Sequence, residues 1–151
     1  MIDFYQYKEN VYTIIGAAMT VYHELGWGLL EAIYNEALHI ELLERGINNV
    51  SEQEVACYYK GQLLEKQYRI DIATEDIIIE LKACSELISS HRLQLFNYLR
   101  LTKKPIGLLI NFTRTGIDGE RYGYDCITNE CYLLDKNMDI IPKETYYDEY
   151  N

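Results

Sequence analysis

The sequence predicts a single α/β domain in which a mixed sheet is flanked by helices. Apolar residues recur at helical spacing in the N-terminal third, and runs rich in β-branched residues follow in the middle of the chain. A third helical segment separates the last two of those runs. A meander of strands followed by a crossover helix and a further strand contains both parallel and antiparallel pairs. The length of 151 residues is typical of one domain.

Three helices are predicted. The first begins at about Asn10 and ends at Gly26, because glycine is a common residue just after a helix. The second ends at Gly46 and is expected to bury one apolar stripe, formed by Leu30, Ile33, Ala37 and Ile40. The third is capped by Ser89 or Ser90 and extends to about Thr102. Its expected buried residues are Leu95, Phe96 and Leu99, and a second face carries His91, Gln94 and Tyr98.

The strands are predicted from short apolar or β-branched runs bounded by turn residues. They lie at residues 55–59, 68–73, 76–83 and 106–112, and the last of these is expected to be central in the sheet. Residues 113–120 are predicted to form a polar loop, and residues 122–127 and 131–134 a terminal hairpin. The acidic, tyrosine-rich tail from Lys143 is expected to be mobile.

The stretch DIIIELKA at residues 76–83 combines a buried strand with two charges. Glu80 and Lys82 point to the same face because side chains alternate along a strand. Charges are rare in a covered strand unless they are paired, bind a metal or lie at the strand end. The short turn at 74–76 predicts a hairpin that places Asp71, on the preceding strand, beside Glu80. Two carboxylates and one ammonium group would therefore converge at one place.

The charge of the chain bears on its partners. The net charge of −10 argues against general nucleic-acid binding, which usually requires a basic surface. The distribution is uneven, however: residues 60–121 hold ten of the 14 Lys and Arg against eight acids, and the remainder holds four bases against 16 acids. The basic side chains thus gather in the part of the sequence that contains the candidate site.

The cysteines and the apolar runs bear on the compartment. Cys57, Cys84, Cys126 and Cys131 form no CxxC pair and complete no zinc-ligand spacing with the histidines, so free thiols are expected. No apolar run approaches the roughly 20 residues needed to span a bilayer. The N-terminus lacks the basic start and apolar stretch of a signal peptide. These features predict a cytoplasmic protein with no membrane partner.

The order of elements and the charged residues resemble the PD-(D/E)XK nuclease superfamily, which has a restriction-endonuclease-like core. Ile70-Asp71 corresponds to its "PD", with the proline replaced, and residues 80–82 correspond to its "(D/E)XK". The chain is also similar to the GxxExxY protein family within that superfamily, since residues 28–34 read GLLEAIY. Trp27 stands where a proline is expected in that family. The resemblance covers about residues 10–113, which defines a core and leaves residues 114–151 as a C-terminal extension.

This resemblance implies a metal-dependent nuclease acting on DNA or RNA. Asp71 and Glu80 would hold Mg²⁺ or Mn²⁺, together with the backbone carbonyl of Leu81, because these cations prefer oxygen ligands. Lys82 would orient or help deprotonate the attacking water, or stabilise the phosphate. The remaining expected contributors are Glu31 as a further ligand or a partner of Lys82, Gln94 holding the water or a phosphate oxygen, and His91 contacting the nucleic-acid backbone.

Two alternatives remain open at this level. The charged residues could form a buried ion-pair network that only shapes the end of the sheet. The chain could also be a catalytically inactive module that binds nucleic acid or protein through the same fold. A homo-oligomer is compatible with either reading.

Overall fold

The computed structural model describes residues 2–143, which form a short 3-10 helix at Phe4–Tyr7 followed by three α-helices and six strands. The helices are α1 (Lys8–Leu25), α2 (Glu31–Glu44) and α3 (Ser89–Thr102). The strands are β1 (Val50–Tyr59), β2 (Gln62–Ala73), β3 (Ile77–Lys82), β4 (Ile106–Thr113), β5 (Gly116–Asp125) and β6 (Glu130–Leu134).

The strands form one sheet in the order β1-β2-β3-β4-β5-β6. Only β3 and β4 pair in parallel, and α3 connects them as a crossover helix, while the other neighbours are antiparallel. Buried residues of α1 and α2 pack on one face of the sheet and buried residues of α3 on the other. The predicted mixed sheet flanked by helices is therefore confirmed.

The interior of the sheet is apolar on both faces. Every residue of β3 from Ile77 to Leu81 is buried, Glu80 included, and so is every residue of β4 from Ile106 to Phe112. Because strands covered on both faces lack an alternating pattern, both appear in the sequence as continuous apolar runs. The prediction that residues 106–112 form a central strand is correct, since β4 lies between β3 and β5.

The predicted buried stripe of α2 is wrong. The residues that α2 buries against the sheet are Tyr34, Asn35, Leu38 and Leu42. Leu30, Ile33 and Ile40 are exposed instead, and Ala37 is only partly buried. Helical periodicity identifies an apolar stripe but cannot choose between two of them, and α2 has two.

The predicted loop at residues 113–120 is also wrong. Residues Thr113 and Gly116 pair across a two-residue turn, and β5 begins at Gly116. The charged and glycine-rich sequence hides this strand because backbone pairing with β4, rather than apolar alternation, holds it in the sheet. The predicted terminal hairpin is confirmed as the pairing of β5 with β6.

Two smaller expectations need correction. Neither Ser89 nor Ser90 caps α3, because the helix begins at Ser89 and Ile88 precedes it without a side-chain cap of its own. The Nδ1 atom of His91 accepts a hydrogen bond from the amide of Ile88 at 3.2 Å and so caps this end. The first two strands are longer than predicted, because the segments that the prediction left out, residues 50–54 of β1 and 62–67 of β2, are mostly polar.

The outer halves of β1 and β2 form a two-stranded arm, which we define as residues 54–69. β2 pairs with β3 only at Ile72 and Ala73, so the arm has no third strand beside it. Its tip is a tight turn in which Lys60 and Gly61 both have positive φ, as hairpins of this type require. Residues 62–69 are all exposed. The arm therefore projects from the sheet starting two residues before Asp71.

Two expectations concern the ends of the chain and the membrane. The predicted mobility of the tail lies outside the described residues, which end at Lys143. Among residues 2–143, no helix is both long and apolar enough to cross a bilayer.

We predict that Gly123→Ala on β5 lowers the free energy of unfolding by about 1–3 kcal/mol, the usual cost of overpacking a core. A Cβ atom at Gly123 would lie 2.6 Å from the buried ring of Phe4. Gly119→Ala is the matched control on the same strand, because its Cβ would meet only the Leu109 carbonyl oxygen at 3.5 Å. Chemical denaturation measures both. Equal stability of the two variants would contradict this packing of Phe4.

Candidate active site

The candidate site forms where β2 separates from β3. The regular pairing ends at Ile72 and Ile79, and the next two residues, Asp71 and Glu80, use their side chains in its place. The Asp71 amide donates to Glu80 Oε1 at 3.0 Å, and the Leu81 amide donates to Asp71 Oδ2 at 2.8 Å. Each carboxylate therefore accepts a backbone hydrogen bond from the other strand. The structure brings Asp71 and Glu80 together as the short turn predicts.

The side chains of Asn35 and Ser51 form a hydrogen-bonded chain that ends on the carbonyl oxygen of Asp71. The buried Asn35 of α2 donates through Nδ2 to the Asp71 carbonyl oxygen at 3.2 Å. Its Oδ1 accepts a hydrogen bond from Ser51 Oγ of β1 at 2.7 Å. Asp71 therefore has both backbone polar groups satisfied by side chains, so the ladder can open there without leaving a buried group unpaired.

β1 is distorted at the same level. It pairs regularly with β2 at Ser51 and at Gln53, but Glu52 between them has φ of 54°. Positive φ is uncommon outside glycine and occurs often where a strand is bent near a functional site. β1 is therefore irregular at Glu52, and β2 is irregular at Asp71, where its pairing with β3 has ended.

The environment of Glu80 disfavours its charge. The side chain is buried, with 3% of its surface exposed, and the Asp71 carboxylate lies beside it. Burial, and then repulsion from Asp71, raise the pKa of Glu80 to about 9, although Lys82 opposes the shift. In the absence of a cation, this position therefore favours the protonated form of Glu80.

Lys82 lies at the end of β3, beside Asn111 of the parallel strand β4. Its charge acts on both Glu80 and His91, whose pKa values it lowers. Within residues 2–143, however, the ammonium group makes no ion pair of 4.0 Å or less with Asp71 or Glu80. The three residues are close together but do not form the buried ion-pair network that the sequence left open.

The remaining predicted residues lie on two helices. On α3, Gln94 lies one turn before Tyr98, and burial together with the charges of Glu80 and Asp71 raises the pKa of Tyr98 to about 12. His91 is partly buried, and its pKa is lowered first by burial and then by Lys82 and Arg92. On α2, Glu31 is exposed in the first turn, one turn before Asn35 on the same side of the helix.

Leu81 contributes only its backbone, because its side chain is buried in the core. The sequence prediction missed Asn35 and Ser51, and it placed Tyr98 on the polar face of α3 without giving it a role at the site. Tyr98 donates to the Arg69 carbonyl oxygen at 3.2 Å and so holds β2 just before Asp71. A signal for Asn35 was present, since it is a polar residue in the middle of the stripe that α2 buries, but that stripe was not the one predicted.

The donors at the site fit a small divalent cation. Within residues 2–143 there is no cluster of three or more His, Cys, Asp and Glu, so any ion has at most two acidic side chains of the core to bind. Asp71 and Glu80 each give one oxygen to a backbone amide, and their second oxygens, Oδ1 and Oε2, are the candidate ligands. Hard carboxylate oxygens with water completing the shell are the usual environment of Mg²⁺ and Mn²⁺.

A cavity of about 410 Å³ lies away from these carboxylates, between α1 and β5, with Ile15, Met19, Ile117 and Arg121 among its lining residues. These residues are on the face of the sheet opposite α3. The candidate site is therefore identified by the chemistry at Asp71 and Glu80 and not by a cavity.

We predict that Glu80→Gln stabilises the metal-free protein increasingly as the pH rises from about 4.5 to about 9. The folded protein holds a proton on Glu80 that the unfolded chain releases, so this stability is complete below the unfolded pKa and is lost as the pH approaches the folded one. The loss is at most about 1.4 kcal/mol per pH unit. The amide cannot ionise, and the variant avoids this loss.

Thermal unfolding of both proteins across this range, in buffer containing a chelator, makes the measurement. Glu86→Gln, at an exposed position, is the control. A constant difference between parent and Glu80→Gln at all pH values would contradict the shifted titration.

Comparisons with known proteins agree with this geometry. A model of the PD-(D/E)XK nuclease superfamily matches residues 8–121. The crystal structure of SSO0001 is similar with a TM-score of 0.52 and 20% sequence identity, a likeness that shows the fold alone. That match covers 82% of this chain and 63% of the SSO0001 chain. No curated protein matches the sequence. Because the superfamily model matches most of the sequence, this chain belongs to the PD-(D/E)XK nuclease superfamily.

Proposed function

We propose that this protein is a nuclease that hydrolyses phosphodiester bonds in DNA or RNA with the help of Mg²⁺ or Mn²⁺. The observation that carries the proposal is the exchange of hydrogen bonds between Asp71 and Glu80 at the point where β2 and β3 separate. The superfamily membership supports a nuclease. The paired carboxylates, with Lys82 at the end of β3, support the dependence on a cation.

A purely structural role explains the two carboxylates poorly. A continued backbone ladder would satisfy the same amides without burying acidic groups. Placing two carboxyl groups together in a desolvated position costs free energy, as the raised pKa of Glu80 shows. Such a cost is common where a site must bind a charge that the apo protein lacks.

The chemistry divides between a cation and the residues of the chain. A bound divalent cation supplies positive charge at the scissile phosphate and favours ionised water. Asp71, Glu80 and the Leu81 carbonyl would hold it. Lys82, free of an ion pair with either carboxylate, would orient the attacking water or stabilise a phosphate oxygen.

Residues on the helices would complete the site. Gln94 would position the water or a phosphate oxygen from α3. His91 has Nδ1 engaged by the Ile88 amide, which leaves Nε2 to donate to the nucleic-acid backbone. Glu31, in the first turn of α2, would hold a water molecule bound to the cation or act as a partner of Lys82.

We also place the chain in the GxxExxY family. Its three motif residues have separate physical roles. Gly28 has φ of 88° in the link before α2, a conformation that other residues rarely adopt. Tyr34 donates to the Gly26 carbonyl oxygen at 2.6 Å and stacks on Phe112 at 4.1 Å, so it fixes that link against the sheet. Of the three motif residues, Glu31 is the one whose exposed side chain would be available to act at the site.

The domain organisation, the partner and the compartment follow from the same proposal. The chain would act as one nuclease-like domain with nucleic acid as its partner. All four cysteines are unpaired, which fits the reducing conditions of the cytoplasm. The net charge of −10 favours a second candidate, a module that binds a partner without cutting nucleic acid, because an acidic surface weakens contact with phosphates.

We predict that Mn²⁺ binds weakly, with a dissociation constant of roughly 0.1–1 mM, because the protein supplies few ligands. Asp71→Asn should weaken binding by at least about tenfold, since one charged ligand is lost. Isothermal titration calorimetry measures this, with Asp118→Asn, at an exposed position of β5, as the control. Equal affinity of the parent and Asp71→Asn would exclude the proposed metal site.

We further predict that Lys82→Met leaves the protein folded and able to bind Mn²⁺, but lowers cleavage about 100-fold or more. The lysine carries no ion pair whose loss would unfold the site, and its charge is required only in the reaction. Cleavage of single- and double-stranded DNA and RNA with Mg²⁺ or Mn²⁺ makes the measurement, beside thermal unfolding. Lys136→Met, at an exposed position, should cut as the parent does.

The same assay separates the two candidate functions. A parent protein that binds the cation but cuts none of the four substrates would favour the non-catalytic module. Equal cleavage by Lys82→Met and the parent would remove Lys82 from the mechanism while leaving the nuclease proposal intact.

A further inference from the structure

Helix α2 carries an apolar stripe on its outer side. Its members are Leu30, Ile33, Ile40 and Leu43, which are between 44% and 76% exposed. They recur at intervals of three and seven residues and therefore lie on one side of the helix. The stripe is about 20 Å long at the rise of an α-helix. We call it the outer stripe of α2.

The arm at residues 54–69 is the second exposed apolar surface. Tyr58, Tyr59, Leu63 and Leu64, around its tip, are between 43% and 66% exposed. A two-stranded ribbon without a third strand is marginally stable in water. Its exposed length from Gln62 to Tyr68 is also about 20 Å, at the rise of a strand. Exposed apolar surfaces of this kind commonly mark contacts with other proteins.

The charges of the two surfaces differ in sign. Residues 31–44 of α2 contain four glutamates and no lysine or arginine. Of these, Glu41 is paired with Arg45, which leaves Glu31, Glu36 and Glu44 without an ion pair among the described residues. The arm, residues 54–69, contains three bases and two acids. Arg69 lies within 4.0 Å of Glu52 and Glu54, whereas Lys60 and Lys66 have no ion pair in the described part of the chain.

This charge pattern selects the partner surface. Two copies of α2 packed through their outer stripes would oppose glutamates to glutamates. Two arms packed together would oppose lysines to lysines. One face of the arm carries Tyr59, Leu64 and Tyr68, with Lys66 between the last two. This face packed on α2 brings apolar side chains together with opposite charges around them.

We infer that the arm of one chain docks on the outer stripe of α2 of a second copy. A two-fold axis makes the contact reciprocal, so each chain contributes one arm and one helix and the assembly closes as a dimer. The inference concerns assembly and does not depend on the proposed nuclease activity, because its test measures mass.

Sedimentation velocity on the full chain tests the inference. The parent should sediment at twice the 17.8 kDa chain mass across the micromolar range. An arm variant, Leu64→Glu with Lys66→Glu, and a helix variant, Glu36→Lys with Ile40→Lys and Glu44→Lys, should each be monomeric because their contacts become like-charged. All five positions are exposed, so circular dichroism should show an unchanged fold.

Mixing the two variants gives the decisive result. An acidic arm then meets a basic helix, and the unchanged arm of the helix variant meets the unchanged helix of the arm variant. The mixture should therefore regain the dimer. Tyr12→Glu and Ile127→Lys, which are 79% and 86% exposed and lie outside both surfaces, are controls that should remain dimeric.

Three results would overturn the inference: a monomeric parent throughout, a variant that stays dimeric alone, or a mixture that stays monomeric. If the parent is monomeric and the arm variant loses affinity for nucleic acid, the arm is a nucleic-acid surface and the dimer is excluded.

Discussion

β2 and β3 stop sharing backbone hydrogen bonds after two residue pairs, and most of the local geometry follows from that early separation. Asp71 and Glu80 complete the ladder with their side chains, which places both carboxyl groups between the strands. Asn35 from α2 and Tyr98 from α3 then hold β2 from opposite faces of the sheet. The separation is thus stabilised on both sides, and the acidic groups are fixed before any cation arrives.

The same separation produces the arm. Once β2 leaves β3, its outer half has only β1 as a neighbour, and the ribbon extends away from the covered sheet. The site therefore lies at the base of an exposed element, next to the end of β3 where Lys82 projects. This arrangement leaves apolar surface on the arm that a monomer does not cover.

Basic and acidic residues are concentrated in different segments of the chain. The segment from residue 60 to 121 carries the arm, the site and α3, and it holds most of the basic residues. The acids are concentrated in α1, α2, β1 and the C-terminal part. A nucleic-acid backbone would approach the basic segment, while the acidic helix α2 remains available to a basic partner.

Local patterns in the sequence were sufficient for much of the fold. The β-branched run at Ile77–Ile79, the turn at residues 74–76 and the apolar strand β4 each depend on neighbours along the chain, so the pairing of Asp71 with Glu80 could be predicted.

The buried face of α2, the strand β5 and the role of Asn35 could not be predicted from the sequence. Two apolar stripes on α2 satisfy the same helical period, and the choice between them is made by the sheet that Tyr34 and Leu38 pack against. β5 is held by backbone bonds to β4 that its side chains do not reveal, and Asn35 acquires its role only because Asp71 needs a donor from another element. Periodicity and turn chemistry are local properties of a chain, whereas the selection among equivalent faces depends on contacts between distant segments.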